Sequence, residues 1–271
     1  MKTIVIKLGG EIVRSPELDL IAADLRALID GWNRVTIVHG GGPQASALQR
    51  TLGLEPRMIA GRRYTDEATL DVMKYVLAGQ LNVDLCARLL KNGVMPVGLH
   101  GASGHVVQAV RRAPKVMQGA GPDPVDLGLV GDVTGFNLPL LGDLHERRYV
   151  PVIACLGCDQ HGQVLNINGD TVASQLAGAM KADALVLVTS TPGVLRDVKD
   201  PASRLPRISR AEFERLVKDG TISGGMIPKL EESFEILKGG AKSIVIIGQL
   251  AAGDLLRAVM EPGSAGTVLE A

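Results

Sequence analysis

The chain has few aromatic residues, no excess of charge and no long apolar run. Aromatic side chains make up 3% of its 271 residues although 46% are hydrophobic, so the apolar content is mostly aliphatic. Aliphatic residues in this proportion are typical of parallel strands buried between helices. The formal charge is zero, which argues against binding to nucleic acid or to membrane surfaces through bulk electrostatics. The longest apolar stretches are too short to span a bilayer.

Cysteine is scarce as well, with Cys86, Cys155 and Cys158 as its three examples. Cys155 and Cys158 form a C-x-x-C pattern, which occurs in redox and zinc sites. Only His161 lies close by in the sequence, so we interpret the pair as thiols at a strand end. An odd cysteine count without a secretory signal predicts a reducing, cytoplasmic location.

Apolar segments alternate with amphipathic segments along most of the chain. Predicted strands are 3–8, 35–38, 94–99, 150–154, 184–188 and 243–247, and predicted helices are 18–30, 66–90, 170–180 and 228–238. Segment 106–133 is predicted to form projecting β-hairpins. The alternation predicts an α/β fold with a mainly parallel sheet. A weak break near 139–149 separates about 1–148 from about 149–271, which we expect to be lobes of one continuous sheet.

Both common phosphate-binding fingerprints are missing, because the sequence has no G-x-x-x-x-G-K-[ST] and no G-x-G-x-x-G. Instead, three glycine clusters follow apolar strands, at Gly9-Gly10, at 40–42 and at Gly193. Ligands of open α/β sheets bind beyond the carboxyl ends of the strands, where glycine lets backbone N–H groups approach an anion. The three turns therefore predict a phosphate cradle of another kind.

Charged residues stand beside these turns. Lys7 occupies a strand position that should be apolar, so its ammonium needs an anionic partner unless the side chain snorkels to solvent. Lys229 lies in the first turn of a predicted helix, where a cation is unfavourable unless a phosphate is shared with the helix end. Asp170 opens another helix and either caps it or orients the lysines and helps to hold Mg²⁺. Arg63 is either a surface residue or a bidentate ligand of a carboxylate.

Eight short strings, taken in order, resemble the amino acid kinase family and in particular its N-acetylglutamate kinase branch. The strings are VIKLGG at 5–10, VHGGGPQ at 38–44, RYTD at 63–66, LAGQLN at 77–82, DLGLVGDV at 126–133, LNINGD at 165–170, TPGVL at 191–195 and GTISGGMIPK at 220–229. Each string is moderately specific, and eight in the same order are highly specific.

The resemblance implies a three-layer αβα sandwich whose N-terminal lobe binds an acylated amino acid and whose C-terminal lobe binds MgATP. It also implies transfer of the γ-phosphoryl group of ATP to the side-chain carboxylate of N-acetyl-L-glutamate, a step of arginine biosynthesis. By matching positions, Lys7 and Lys229 are the catalytic lysines and Asp170 organises them. The other implied residues are the substrate-binding Gly41, Gly42, Arg63 and Asn166 and the ATP- or phosphate-binding Gly9, Gly10, Thr189, Gly193 and Lys229.

Phosphoryl transfer to a carboxylate asks little of the protein beyond positioning. With an unperturbed pKa of about 4, the acceptor is already ionised at neutral pH, so no general base is needed. Catalysis should then come from placement and from charge stabilisation by the lysines, Mg²⁺ and backbone N–H groups.

Three positions depart from the family pattern. The loop at 98–104 lacks the usual lysine and aspartate, Ser190 replaces an aspartate, and Val83 replaces a lysine. Two alternatives follow, a kinase of carrier-protein-linked α-aminoadipate from lysine biosynthesis and a non-catalytic sensor of the same fold. The carrier alternative needs a basic surface, for which the candidates are Arg62, Arg63, Arg111, Arg112 and Lys115.

Assembly is predicted from the same resemblance. Some N-acetylglutamate kinases are arginine-inhibited hexamers joined by an extra N-terminal helix. We expect that helix to be missing here, because the first predicted strand begins at residue 3. We therefore expect a homodimer that is insensitive to arginine and is paired through the helix at 66–90.

Overall fold

An eight-stranded sheet draws its strands from both halves of the chain. The structure, a computed structural model, describes residues 1–117, 119, 121–197, 199–222, 226–238 and 240–270, without the side chains of 228, 229, 232 and 238. In spatial order the strands are β12 (Arg207–Ser209), β14 (Thr267–Glu270), β13 (Ile244–Gly248), β11 (Ala184–Thr189), β1 (Thr3–Leu8), β2 (Arg34–His39), β8 (Val150–Ala154) and β5 (Pro96–Leu99).

Most neighbours in this sheet are parallel, and β13 and β14 are the antiparallel pair. Its helices are α1 (Gly10–Arg14), α2 (Glu17–Asp30), α3 (Gly42–Thr51), α4 (Glu67–Met73), α5 (Asn82–Lys91), α6 (Leu138–Glu146), α7 (Gly169–Ala179), α8 (Arg210–Lys218), α9 (Met226–Lys238) and α10 (Asp254–Met260). Helix α2 contacts α5 and α10, whereas α7 contacts α9, and both groups pack on the strands. The predicted αβα sandwich with a mainly parallel sheet is confirmed.

A smaller four-stranded sheet lies in the order β10 (Val164–Asn166), β9 (Leu156–Cys158), β6 (Val107–Arg111) and β7 (Gly131–Phe136). The antiparallel pair β6–β7 confirms the predicted hairpins in the middle of the chain. Strands β9 and β10 have only three residues each and were not predicted. A separate hairpin joins β3 (Met58–Ile59) to β4 (Arg62–Arg63).

The long predicted helix runs without a break from 67 to 91, but its middle is wider than an α-helix. Between α4 and α5 lies a π-helical segment, Lys74–Leu81. Asp66 caps the N-terminus by accepting from the backbone N–H of Thr69 at 2.8 Å. Among the helices that the structure describes, none has both the length and the apolarity needed to cross a bilayer.

Helix α6 occupies most of segment 139–149, where the sequence suggested a weak break between two lobes. Pro139 lies in the first turn of α6, where proline is tolerated because its missing N–H has no intrahelical partner. Asn137 caps this helix by accepting from the backbone N–H of Leu140 at 3.1 Å.

Candidate active site

A cavity of about 450 Å³ lies at the carboxyl edge of the main sheet. The ends of β1 and β11, the turn after β2 and the residue after β8 all contribute to its wall. This is where an open α/β sheet binds its ligands. The wall includes Lys7, Gly9, Gly10, Glu11, Gly40, Gly41, Gly42, Arg62, Arg63, Arg112, Cys155, Asn166, Asp170, Thr189 and Ser190.

Lys7 interrupts the apolar pattern of the central strand β1, in which Ile6 and Leu8 have no exposed surface. Its side chain is 18% exposed, and Nζ lies 2.9 Å from Oδ1 of Asp170, which is 44% exposed. The ammonium therefore has the anionic partner that its burial demands. The alternative, in which Lys7 simply snorkels to solvent, is wrong.

Asp170 is free to pair with Lys7 because another residue caps its helix. The N-cap of α7 is Asn168, whose Oδ1 accepts from the backbone N–H of Asp170 at 2.7 Å and of Thr171 at 3.3 Å. The capping role considered for Asp170 is therefore wrong. The helix dipole favours a carboxylate in the first turn, so Asp170 stays suited to hold a negative charge beside Lys7.

The first two glycine turns pack directly against each other. A Cβ on Gly10 would lie 2.7 Å from Gly41 Cα and 2.4 Å from Gln44 Oε1. Gln44 Nε2 donates to the carbonyl oxygen of Gly10 at 2.8 Å and so links the two turns. Gly9 and Gly42 line the cavity beside them, and α3 begins at Gly42. Backbone N–H groups at such a helix start are suited to binding an anion.

The guanidinium of Arg63 is tied to the second glycine turn. Its Nη2 donates to the carbonyl oxygen of Gly42 at 3.0 Å and to Ser46 Oγ at 2.6 Å, and Nη1 donates to Gln49 Oε1. Burial lowers the pKa of Arg63, and the neighbouring charge of Arg50 adds to this effect. Within the described residues, Arg63 bonds to neutral groups and forms no ion pair. A carboxylate ligand would supply the missing anion.

Asn166 ends β10 and lines the cavity, as Arg63 does. Its Nδ2 donates to Oγ1 of Thr65, which has no exposed surface, at 3.1 Å. Its backbone N–H donates to the carbonyl oxygen of Leu129 at 2.9 Å. Because Thr65 follows Arg63 by two residues, this bond ties Asn166 to the chain segment that contains Arg63.

Arg112 was predicted to belong to a basic surface, and the structure makes it part of the cavity wall instead. Its side chain is only 10% exposed, and Nη2 lies 2.6 Å from Asp132 Oδ1. The neighbouring Arg111 pairs with Asp126 at 3.0 Å. Both aspartates belong to the string at 126–133, so the sequence contained the partners of these two arginines. Two charges of the predicted basic surface are therefore neutralised.

The C-terminal half reaches the cavity through the end of β11, where Thr189 and Ser190 line it. Gly193 is not among the described residues that line the cavity. A Cβ on Gly193 would lie 2.6 Å from Thr267 Oγ1, so close packing against β14 accounts for the glycine. Lys229 lies in the first turn of α9, and its side chain lies outside the described residues.

The C-x-x-C cysteines are unpaired, buried thiols, which confirms the interpretation from the sequence. Cys155 directly follows β8 and lines the cavity, and burial raises its pKa to about 12 although Lys7 acts in the opposite direction. Its thiol is therefore protonated at neutral pH. No group of three or more His, Cys, Asp or Glu side chains in the described part of the chain is placed to hold a metal ion.

The loop that departs most from the family pattern packs away from the cavity. A Cβ on Gly101 would lie 2.3 Å from the carbonyl carbon of Gly157, and the described lining residues include none from 100–104. Val83 is 62% exposed and is also absent from that lining. Of the three departures, only Ser190 reaches the cavity.

Comparison with known proteins identifies relatives of this chain. An acetylglutamate kinase of Anaeromyxobacter dehalogenans is 84% identical over 270 residues and covers 100% of both chains. An acetylglutamate kinase of Sorangium cellulosum is 56% identical, over 98% of this chain and 94% of its own.

The fold is shared with solved structures as well. The protein smu.665 of Streptococcus mutans matches with a TM-score of 0.76 and 27% identity, over 99% of this chain and 98% of its own. Residues 2–248 match the model of the amino acid kinase family. The chain belongs to the amino acid kinase family.

Proposed function

We propose that this protein transfers the γ-phosphoryl group of ATP to the side-chain carboxylate of N-acetyl-L-glutamate and forms an acyl phosphate. Relatives of high identity over the full length carry the name acetylglutamate kinase. The observation that carries the mechanism is the ion pair of Lys7 with Asp170 among packed glycine turns. This reaction fits a place in arginine biosynthesis.

The acceptor is assigned to the side of the cavity that contains Arg63 and Asn166. Arg63 is a half-buried cation whose hydrogen-bond partners among the described residues are neutral, which suits it to the α-carboxylate of the acceptor. Asn166 lines the same cavity, and so do Gly41 and Gly42 of the second glycine turn. The acceptor's side-chain carboxylate would then point toward Lys7.

The transferring phosphoryl group is assigned to Lys7, Lys229 and the glycine turns. Lys7 lies at the centre of the carboxyl edge, and Lys229 is proposed from its position in the first turn of α9. Gly9, Gly10 and Thr189 would contact ATP phosphates, and Gly193 would shape the loop after β11. Since the acceptor is ionised at neutral pH, in-line placement and charge stabilisation suffice without a general base.

Magnesium suits the donor set of the cavity. Mg²⁺ usually keeps several waters and binds to substrate phosphates with one or two carboxylates, and Asp170 and Glu11 both line the wall. When bound with ATP, the ion neutralises charge on the phosphates. Asp170 would divide its interaction between the ion and Lys7, which keeps the ammonium directed into the cavity.

The two halves of the chain are proposed to act as an acceptor lobe, about 1–148, and an ATP lobe, about 149–271. Arg63 and the second glycine turn come from the first half and Thr189 from the second, in line with this division, whereas Asn166 and the first glycine turn cross it. We also propose a cytoplasmic homodimer that pairs through the long helix, whose exposed apolar side chains include Tyr75, Val83 and Leu90. Light scattering that gave a monomer mass would contradict the dimer.

A coupled assay of ADP release, with hydroxylamine to trap the acyl phosphate, tests the activity directly. With MgATP we expect turnover and hydroxamate with N-acetyl-L-glutamate. Free L-glutamate and carrier-linked α-aminoadipate should react at least 100-fold more slowly in kcat/KM, on the order expected when a required polar contact is missing. Faster reaction of the carrier-linked substrate, or binding without turnover, would overturn the proposal.

A further inference from the structure

A buried pair of polar side chains lies directly behind the second glycine turn. His39 ends β2 with no exposed surface, and Asn82 begins α5 with 6% of its surface exposed. His39 Nδ1 lies 3.1 Å from the carbonyl oxygen of Gly40, and its Nε2 lies 3.0 Å from Asn82 Nδ2. Asn82 Nδ2 also donates to the carbonyl oxygen of Val152 at 3.0 Å. The pair therefore connects two strands, a helix and the turn.

The surrounding groups fix which ring nitrogen carries the proton. A carbonyl oxygen can only accept, so Nδ1 of His39 donates to Gly40. Nε2 then accepts from the Asn82 amide, whose second hydrogen goes to Val152. Rotating the amide would place its oxygen against two acceptors, so this orientation is the one that satisfies every group. Burial lowers the pKa of His39 to about 4, which keeps the imidazole neutral.

The helix packs against the same turn. A Cβ on Gly41 would lie 2.3 Å from Leu81 Cδ1 and 2.6 Å from Leu77 Cδ2, both in the π-helical segment. A Cβ on Gly98 would lie 2.1 Å from Asn82 Oδ1, so the amide fills space that only a glycine leaves open. π-Helical turns within α-helices are frequent at functional sites. Here Leu77 and Leu81 of the segment, and Asn82 directly after it, pack against the second glycine turn.

We propose that His39 and Asn82 are positioning residues that direct the amide N–H of Gly41 into the cavity. The Gly40–Gly41 peptide is trans, so its C=O and N–H point in opposite directions. Holding the Gly40 oxygen toward His39 turns the Gly41 N–H away from the buried side, and Gly41 lines the cavity. Within the described residues this N–H has no acceptor, which leaves it available to an anion.

The inference rests on the proposed phosphoryl transfer, in which a fixed N–H donor stabilises charge on the transferring group. Its test compares His39→Leu, which removes both ring contacts, with His39→Asn, whose amide can still donate to Gly40. We expect kcat to fall about 30-fold in His39→Leu, with KM values within about 3-fold, and to recover to within about 5-fold of wild type in His39→Asn.

His145 provides a matched control, because it is also buried and its Nε2 contacts the carbonyl oxygen of Val35 at 3.1 Å, far from the cavity. His145→Leu should lower the unfolding temperature and leave kcat within about 2-fold, since it removes only structural contacts. Equal losses of kcat in the two His39 variants would overturn the positioning role. A loss in His39→Leu no greater than that in His145→Leu would overturn it as well.

A second measurement needs no substrate and separates this inference from the proposed function. Spectra of protein with ¹⁵N-labelled histidine should show His39 neutral at pH 7 with its proton on Nδ1. Asn82→Leu should shift the amide resonance of Gly41. A proton on Nε2, or an unchanged Gly41 resonance, would overturn the positioning role. If both signatures are found but wild type fails to phosphorylate N-acetyl-L-glutamate, the proposed function falls and the positioning role stands.

Discussion

The carboxyl and amino edges of the main sheet carry the same kinds of residue, yet only one edge is built for chemistry. At the carboxyl edge, Lys7 pairs with Asp170 inside a cavity. At the amino edge, Lys2 donates to the carbonyl oxygen of Val259 at 2.7 Å and does not line that cavity. The residue type alone therefore does not decide the role of a lysine in β1 or next to it.

Glycine accounts for much of the difference between the edges. At the carboxyl edge the turns of Gly10 and Gly41 approach within a distance that excludes any Cβ, and both glycines line the cavity. At the amino edge the chain turns through Trp32 and Arg148, whose guanidinium carbon lies 4.9 Å from the indole centroid. Two bulky side chains therefore stand at turns of the amino edge, whereas glycines form the turns of the carboxyl edge.

The largest difference between the two edges is expected in kcat when Lys7 and Lys2 are each replaced by alanine. Lys7→Ala should lower kcat about 100-fold, on the order of 3 kcal/mol, because it removes a preorganised cation from the transferring phosphoryl group. Lys2→Ala should leave kcat within about 2-fold, since its partner is a carbonyl oxygen remote from the cavity. Steady-state rates with N-acetyl-L-glutamate check both, and equal losses would remove the distinction between the edges.

Acid should destabilise the protein through the buried His39. Unfolded His39 takes a proton below about pH 6.5, whereas the folded residue does so only below about pH 4, because burial lowers its pKa. As pH falls through this window, His39 should therefore lower the free energy of unfolding by about 3 kcal/mol in total. Urea titrations of wild type and His39→Asn should show this as a slope in their difference. His145, whose pKa burial also lowers, should act in the same direction.

Adding one methyl group should test the packing of the glycine turns. Gly10→Ala should destabilise the protein by about 2 kcal/mol, because its Cβ would overlap Gly41 Cα and Gln44. Gly31→Ala, at the amino edge, would place its Cβ 3.3 Å from Asn33 Nδ2 at a φ of −77° and should change stability by less than about 1 kcal/mol. Similar unfolding midpoints for both variants would contradict this.

The smallest effect is expected from exchanging arginine for lysine. Arg63→Lys should raise KM for N-acetyl-L-glutamate about 10-fold, or about 1.4 kcal/mol, because an ammonium cannot reproduce the planar fork that holds the turn and a carboxylate. Arg148→Lys at the amino edge should leave KM unchanged. If KM for ATP rose instead, Arg63 would belong to the nucleotide rather than to the acceptor.

Much of the fold could be predicted because its signals are local. The apolar run before Gly9, the run before Gly40 and the amphipathic stretch at 66–90 each indicate an element, and their alternation indicates the sheet. The eight short strings that resemble the family contain Lys7, Arg63, Asn166 and Asp170, and all four line one cavity in the structure.

The remainder depends on contacts between distant residues, which no local pattern contains. Gln44 reaches Gly10, and Arg112 finds Asp132, only after the strands have paired. The π-helical segment is invisible for the same reason, because its composition is that of an ordinary helix. Helix α6 was missed because Pro139 suggested an interruption where it occupies a permitted helical position.

The separation of roles between Asn168 and Asp170 has a practical consequence for trapping the enzyme. Because Asn168 supplies the cap of α7, changing Asp170 should not loosen the start of that helix. Asp170→Asn should therefore give a folded protein that keeps its cavity and has lost the carboxylate that directs Lys7. Such a stalled form would hold ATP and acceptor together unreacted, and a crystal of it would capture the ternary complex before the phosphoryl group moves.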